Sequence, residues 1–223
     1  MTRAFLQIES VRLVRGQRQI LDGVSFGIGR GELVVINGPS GSGKTTILRA
    51  IAALEVFQDG QIVVDDVILR SGAPAEAATL RALRRKVGMV FQFHHLFEHL
   101  SALDNVCLAP VHVLGVARPQ AERRAHQLFA AFGVEHRAEA MPRHLSGGEA
   151  QRVAIARALA VDPPVLLMDE PMASLDPARR TELGALLKRL TAAGRILIVT
   201  SHDEVFASQF ATRIVSIEGG KVR

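Results

Sequence analysis

The stretch Leu33-Val34-Val35-Ile36-Asn37-Gly38-Pro39-Ser40-Gly41-Ser42-Gly43-Lys44-Thr45-Thr46 decides how this chain is read. An apolar strand runs into a glycine-rich turn, and Thr46 to Leu54 then carries a helical pattern. That order is the context a phosphate-binding loop requires. Gly38, Gly41 and Gly43 let backbone N–H groups turn inward around phosphate oxygens, with Pro39, Ser40 and Ser42 completing the loop. The start of the following helix, at Thr46, adds the positive end of its dipole. Lys44 is expected to reach the β and γ phosphates and the Thr45 hydroxyl to ligate Mg²⁺.

Outward from this loop, further short β-branched runs recur at Val63 to Val67, Val87 to Val90, Val165 to Met168 and Ile196 to Thr200. Helix-period segments separate them, which is α/β architecture. The runs at 33, 165 and 196 are apolar without alternation, as central strands covered on both faces should be. Phe5 to Ile36 reads instead as shorter strands with turns at Arg15-Gly16 and Arg30-Gly31, predicting an antiparallel edge sheet. From Phe93 to Ala160 helical signals dominate, including Ala121 to Phe132 and Glu149 to Ala160. The expected organisation is one domain over 1–223. Its α/β core comprises 1–92 and 161–223, with an antiparallel β edge subdomain, and 93–160 is an inserted helical subdomain.

Two more segments carry chemistry. The strand Val165-Leu166-Leu167-Met168 ends in Asp169-Glu170, and carboxylates at a strand's C-terminal end face the crevice where α/β proteins bind ligands. Asp169 is placed to hold the Mg²⁺ shell and Glu170 to take a proton from an attacking water. In Leu145-Ser146-Gly147-Gly148-Glu149 the serine is a helix cap, with Glu149 completing a capping box. The two glycines at the same helix start also expose N–H groups to an anion. This second anion site cannot reach the nucleotide on the first loop without a partner chain.

Composition limits the remaining choices. The 223 residues are 48% hydrophobic and 22% charged, which excludes a disordered or fibrous chain. No stretch approaches the roughly 20 uncharged apolar residues that span a bilayer. The opening MTRAFLQIESVR has no apolar block for a signal peptide, and the single Cys107 fits a reducing cytoplasm. Lys and Arg outnumber Asp and Glu by 27 to 22, a balance that favours anionic partners. Ten Phe without Tyr or Trp leave few side chains for base stacking, so nucleic acid is not expected.

Taken in order, the phosphate loop, LSGGE, VLLMDEP and Ser201-His202-Asp203 resemble the ATP-binding subunit of an ATP-binding-cassette transporter over essentially the whole chain. The resemblance implies a phosphate-loop NTPase core of RecA-like type that hydrolyses ATP with Mg²⁺. It also implies a head-to-tail homodimer with two ATP molecules between the loop of one subunit and Ser146, Gly147 and Gly148 of the other. Gln92 is similar to the loop glutamine that senses the γ phosphate and metal, His202 to the switch histidine, and Asp176 to the aspartate of the loop crossing the dimer. Transmembrane permease subunits are the implied partners, which places the chain peripherally on the cytoplasmic face of the inner membrane.

The chain departs from the family's usual residues at three places. Glu149 stands where Gln is frequent, and Met172-Ala173-Ser174 replaces Thr-Ser-Ala, moving a hydroxyl by one place. Arg15 takes the place of the adenine-stacking aromatic, with Phe5 as the alternative residue facing the base. The segments Leu83 to Gln92, Leu96 to Leu100 and Asn105 to Pro110 look like those of polar amino-acid importer ATPases. Lipoprotein-release and cell-division ATPases also carry LSGGE and form the alternative. Phe93, Leu96, Phe97 and Leu100 lie among His94, His95 and His99. These residues are expected to form a docking surface for the membrane subunit rather than a metal site built on helical spacing.

Overall fold

The computed structural model describes residues 4–173 and 175–223. Strands β1 (Leu6–Arg15) and β2 (Arg18–Ile28) form an antiparallel hairpin about Gly16, whose φ of 62° suits a residue without Cβ. After β3 (Leu33–Asn37), helix α1 (Lys44–Ile51) begins two residues before the sequence pattern predicts and ends three residues before. It stops where Ala53 turns to a φ of 53° and the Leu54 N–H bonds back to the Arg49 carbonyl at 2.8 Å.

Strands β4 (Asp59–Val64) and β5 (Val67–Arg70) complete a four-stranded antiparallel sheet of order β2-β1-β4-β5. The run from Val63 to Val67 is thus two strands and not the single one expected. Asp65, with a φ of 58°, and Asp66 make the turn that splits it.

Helix α2 (Ala77–Lys86) leads directly into β6 (Val87–Val90). Three helices follow, α3 (Ala102–His112), α4 (Arg118–Phe132) and α5 (Gly147–Leu159). The chain then alternates β7 (Val165–Asp169), α6 (Pro177–Ala192), β8 (Ile196–Thr200) and α7 (Glu204–Phe210), and closes with β9 (Arg213–Glu218) and β10 (Lys221–Val222). The second sheet has the order β10-β9-β3-β8-β7-β6, parallel except for β10, which folds back on β9.

Alternate residues of the central strands enter two different cores. Leu33, Val35, Leu166, Met168, Leu197 and Val199 face helices α3 to α7. Their neighbours Val34, Ile36, Val165, Leu167, Ile196 and Ile198 face α1 and the antiparallel sheet. Burial on both faces is the physical reason that these strands are apolar without a period of two. Phe129 of α4 is fully buried on the helical side, and its truncation to Ala would cost about 3 to 5 kcal/mol.

Helix starts follow from local chemistry. The Ser101 hydroxyl accepts from the Asp104 N–H at 3.1 Å, and Pro119 occupies the first turn of α4. Ser146 and Glu149 form the full capping box at α5. Between β6 and α3 the chain makes turns rather than a helix, so His95 and His99 do not share a helical face. The spacing premise for a metal site there is lost. Among the described residues no group of three His, Cys, Asp or Glu side chains is arranged to hold an ion. No helix of the described residues is long and apolar enough to cross a membrane.

Candidate functional site

Parallel register brings the chemistry together. Ile36 pairs with Thr200, Thr200 with Asp169, and Met168 with Val90, so the C-terminal ends of β3, β8, β7 and β6 lie side by side. The loop after β3 turns across these ends. A cavity of about 660 Å³ opens there, and Arg15, the phosphate loop, Gln92, Glu170 and His202 contribute to its wall.

Backbone geometry explains the glycines of this loop. A Cβ on Gly38 would collide with the Ile217 carbonyl oxygen, and one on Gly43 would come within 2.8 Å of Leu21 Cδ2. Gly43 also takes a φ of 106° as it caps α1. The Ser42 hydroxyl is buried without a hydrogen-bond partner, as a donor waiting for a phosphate oxygen would be. Lys44 is buried, and its Nζ donates to the loop carbonyls of Gly38 at 2.8 Å and Pro39 at 3.0 Å. It lies 4.0 Å from Glu170 Oε1.

Thr45 and Asp169 meet behind the lysine. The Thr45 hydroxyl donates to Asp169 Oδ1 at 2.9 Å, and Thr200, fully buried, donates to the same oxygen at 2.7 Å. The Glu170 N–H in turn donates to Thr200 Oγ1 at 2.9 Å. Glu170 has a φ of 47°, a costly conformation for a residue with a side chain. Its Oε2 lies 2.9 Å from Nδ1 of the exposed His202. A carboxylate, a hydroxyl and the amide oxygen of Gln92 are hard oxygen donors, a set that suits Mg²⁺ shared with phosphates.

Arg15 belongs to the cavity wall, yet its guanidinium is also held by Glu55, with Nη2 and Oε1 2.7 Å apart. Phe5 does not serve as the alternative. It is buried beneath Arg30, 4.3 Å from ring centre to guanidinium carbon, and lines a different cavity. Arg18 and Thr200 join the site although the sequence did not single them out.

Ser146, Gly147 and Gly148 contribute nothing to this cavity, and neither does Asp176. Asp176 caps α6, accepting from the Arg179 N–H at 3.0 Å, while Ser174 lies outside the described residues. At α5 the Glu149 carboxylate accepts from the Ser146 N–H at 2.7 Å and pairs with Arg137 at 2.9 Å. The Ser146 backbone bond, then its hydroxyl, then Arg137 hold the Glu149 carboxyl down at about 2. The charge of Glu149 is therefore locally balanced.

The family model for the ABC transporter matches residues 21–173. The chain belongs to that family. The glutamine transport ATP-binding protein of Escherichia coli is 41% identical, covering 97% of this chain and 89% of its own length. The arginine/ornithine transport ATP-binding protein of Pseudomonas aeruginosa is 42% identical over 97% and 88%. A dimeric bacterial ABC transporter cassette of known structure superimposes with a TM-score of 0.88 at 33% identity, covering 98% of this chain and 96% of that one. A dimeric post-hydrolysis state bound to ADP and phosphate gives 0.87 at the same identity and coverage. As a cassette of this family the chain binds ATP and is an ATPase, with the phosphate-loop core and helical insert that its sequence implied.

The segment after Gln92 is partly exposed. Phe93 is 76% and Phe97 45% accessible, while Leu96 packs against the helical core. Of the four apolar residues there, the two phenylalanines are the ones that face outward.

Proposed function

We propose that this ATPase powers import of polar amino acids as a head-to-tail dimer, docked through transmembrane permease subunits on the cytoplasmic face of the inner membrane. The observation that carries the reading is the division of one site into two. Lys44, Asp169, Glu170 and His202 gather at the strand ends, while the capped glycine pair at Ser146 stands apart from them. A second copy in the opposite direction brings each Ser146 helix start to the other subunit's phosphates. The names of the glutamine, arginine/ornithine and L-cystine transport ATP-binding proteins among its relatives favour import over lipoprotein release or cell division.

In this reading the phosphate loop and Lys44 bind the triphosphate, and Glu170 orients water and takes its proton, with His202 beside it. Gln92, Thr45 and Asp169 would hold Mg²⁺, which supplies charge neutralisation at the phosphates. Arg15 faces the base, and Asp176 sits at the dimer crossing. Residues 93–160 act as the subdomain that carries Ser146, and Phe93 and Phe97 form the contact with the permease.

Two measurements test this. Lys44→Ala in the chromosomal copy should abolish uptake of one class of polar amino acid, and unaltered uptake of every amino acid would reject the import reading. Phe97→Asp should leave ATPase activity and melting temperature nearly intact while abolishing copurification with membrane subunits. Unaltered membrane association would move the docking site elsewhere.

A further inference from the structure

The loop after Gln92 is held in an improbable shape by a residue far away in sequence. His94 and His95 follow one another at φ of 61° and 47°, two non-glycine residues in the left-handed region. Consecutive strain of this kind, of order 1 to 3 kcal/mol per residue, persists only where surrounding contacts hold it. The contacts come from Arg157 of α5. Its Nη1 donates to the His95 carbonyl at 2.7 Å and its Nη2 to the His94 carbonyl at 2.9 Å. The same guanidinium lies 5.8 Å from the ring centre of Phe97.

A second anchor acts on the far side of the loop. Asn105 of α3, fully buried, accepts from the Phe97 N–H at 2.8 Å and donates to the carbonyls of Phe97, Leu100 and Ser101 at 3.0 to 3.1 Å. The loop is therefore fixed to α3 by Asn105 and to α5 by Arg157. These two attachments have different consequences, because Ser146 caps α5. From Ser146 to Arg157 the helix is one rigid rod of roughly 16 Å at about 1.5 Å per residue.

Resting on the dimer-closure reading above, we infer that Arg157 is the positioning residue through which α5 carries nucleotide-driven movement of Ser146 to the Phe93–Phe97 loop. The bidentate fork fits the task. Two donors in a fixed plane resist both rotation and sliding of the loop against the helix, whereas a single point contact resists neither. Burial draws the Arg157 guanidinium below its ordinary value. The carbonyl acceptors satisfy the half-buried cation without a carboxylate, so closure can move the loop without separating an ion pair.

The chain has no Trp, so Phe93→Trp gives a single fluorescent reporter on the loop. In a Glu170→Gln background, ATP with Mg²⁺ should produce the dimer by size exclusion and change the indole emission. With Arg157→Met added, the ATP-dependent dimer should still form while the emission change falls about five-fold or more. Arg157→Lys, which keeps the charge and loses the fork, should retain no more than half of it. A role confined to packing would alter emission or melting temperature without ATP and leave the ATP-dependent change intact. An emission change in Arg157→Met equal to the parent's overturns the inference. If Arg157→Met does not fold, the same equality in Arg157→Lys does so. No ATP-dependent dimer in the Arg157-containing parent would instead overturn the closure reading, and this inference with it.

Discussion

Arg15 Nη2 and Glu55 Oε1 lie 2.7 Å apart, and the same carboxylate oxygen accepts from Arg49 Nε at 3.0 Å. The guanidinium proposed to face the base is thus held by a residue on the connection after α1. A fixed, flat cation is able to stack on a base for about 0.5 to 2 kcal/mol. Arg15→Ala should weaken ATP and ADP alike by a few-fold, and Arg15→Tyr should restore the affinity or exceed it. Glu55→Ala should reproduce the loss, with the double variant no weaker than either single one, as expected when one residue acts through the other. Calorimetric titration decides, and unchanged affinity in both Arg15 variants would remove it from the base.

Glu170 touches His202 through one carboxylate oxygen and lies near Lys44 through the other. If it takes the proton of the attacking water, Glu170→Gln should bind ATP normally and lower turnover by about 10²- to 10⁴-fold. The uncleaved nucleotide should then keep the dimer closed on a sizing column with Mg²⁺. Turnover near the wild-type rate would assign the proton to another group.

Thr200 acts behind these residues. Its hydroxyl is both donor to Asp169 and acceptor for the Glu170 N–H, at zero exposure. Thr200→Val preserves shape but leaves the Glu170 N–H without its acceptor and Asp169 Oδ1 with the Thr45 hydroxyl alone, at a cost of about 1 to 3 kcal/mol. Turnover should drop on the order of ten-fold with little change in KM, and Thr200→Ser should recover most of it. A variant that lost stability alone, at full turnover, would make Thr200 a packing residue.

These cases show what the sequence can and cannot convey. Gly38 and Gly43 are legible because only a residue without Cβ fits their surroundings, and the doubly buried β3, β7 and β8 because their faces enter two cores. Thr200 looks like any β-branched strand end until the register with Asp169, 31 residues earlier, is known. Within the helical stretch expected from 93 to 160, the bounds of α3 are blurred because Pro110 lies inside it and the polar Asn105 faces inward. The clamp by Arg157 uses main-chain carbonyls 62 and 63 residues away, and a carbonyl acceptor leaves no mark on residue type.

Glu149 makes the stability of the α5 cap depend on pH. Its carboxyl is held down at about 2 against an ordinary 4.5, mainly by the Ser146 N–H. The stabilisation is complete above about pH 5 and is lost as pH falls through 4.5 toward 2. Water and solvent-exposed partners reduce its size to about 1 to 2 kcal/mol. Glu149→Gln keeps a capping side chain and removes the charge. Denaturation midpoints of the two proteins should differ at pH 6, differ by less than half as much at pH 3 and converge near pH 2, and parallel curves across that range would contradict the assignment.

The proposed division of each ATP site between two subunits has the sharpest test. Ser146 accepts from the Glu149 N–H at 3.3 Å and stands at the helix start, so Ser146→Arg should spare ATP binding at the phosphate loop but block closure. Lys44→Ala should instead weaken ATP binding directly. Neither protein should hydrolyse ATP alone. In a mixed dimer, one site unites the intact Lys44 of the first chain with the intact Ser146 of the second, and the other site receives both lesions. With random pairing of equal amounts, half of the dimers are mixed and each has one intact site of two. Independent sites should then give about a quarter of wild-type activity. Adding Glu170→Gln to both chains replaces turnover by retention, and each mixed dimer should then hold one ATP through a desalting column. Retention no greater than in the separate variants would mean that the site is completed within one chain, and the head-to-tail arrangement would have to be abandoned.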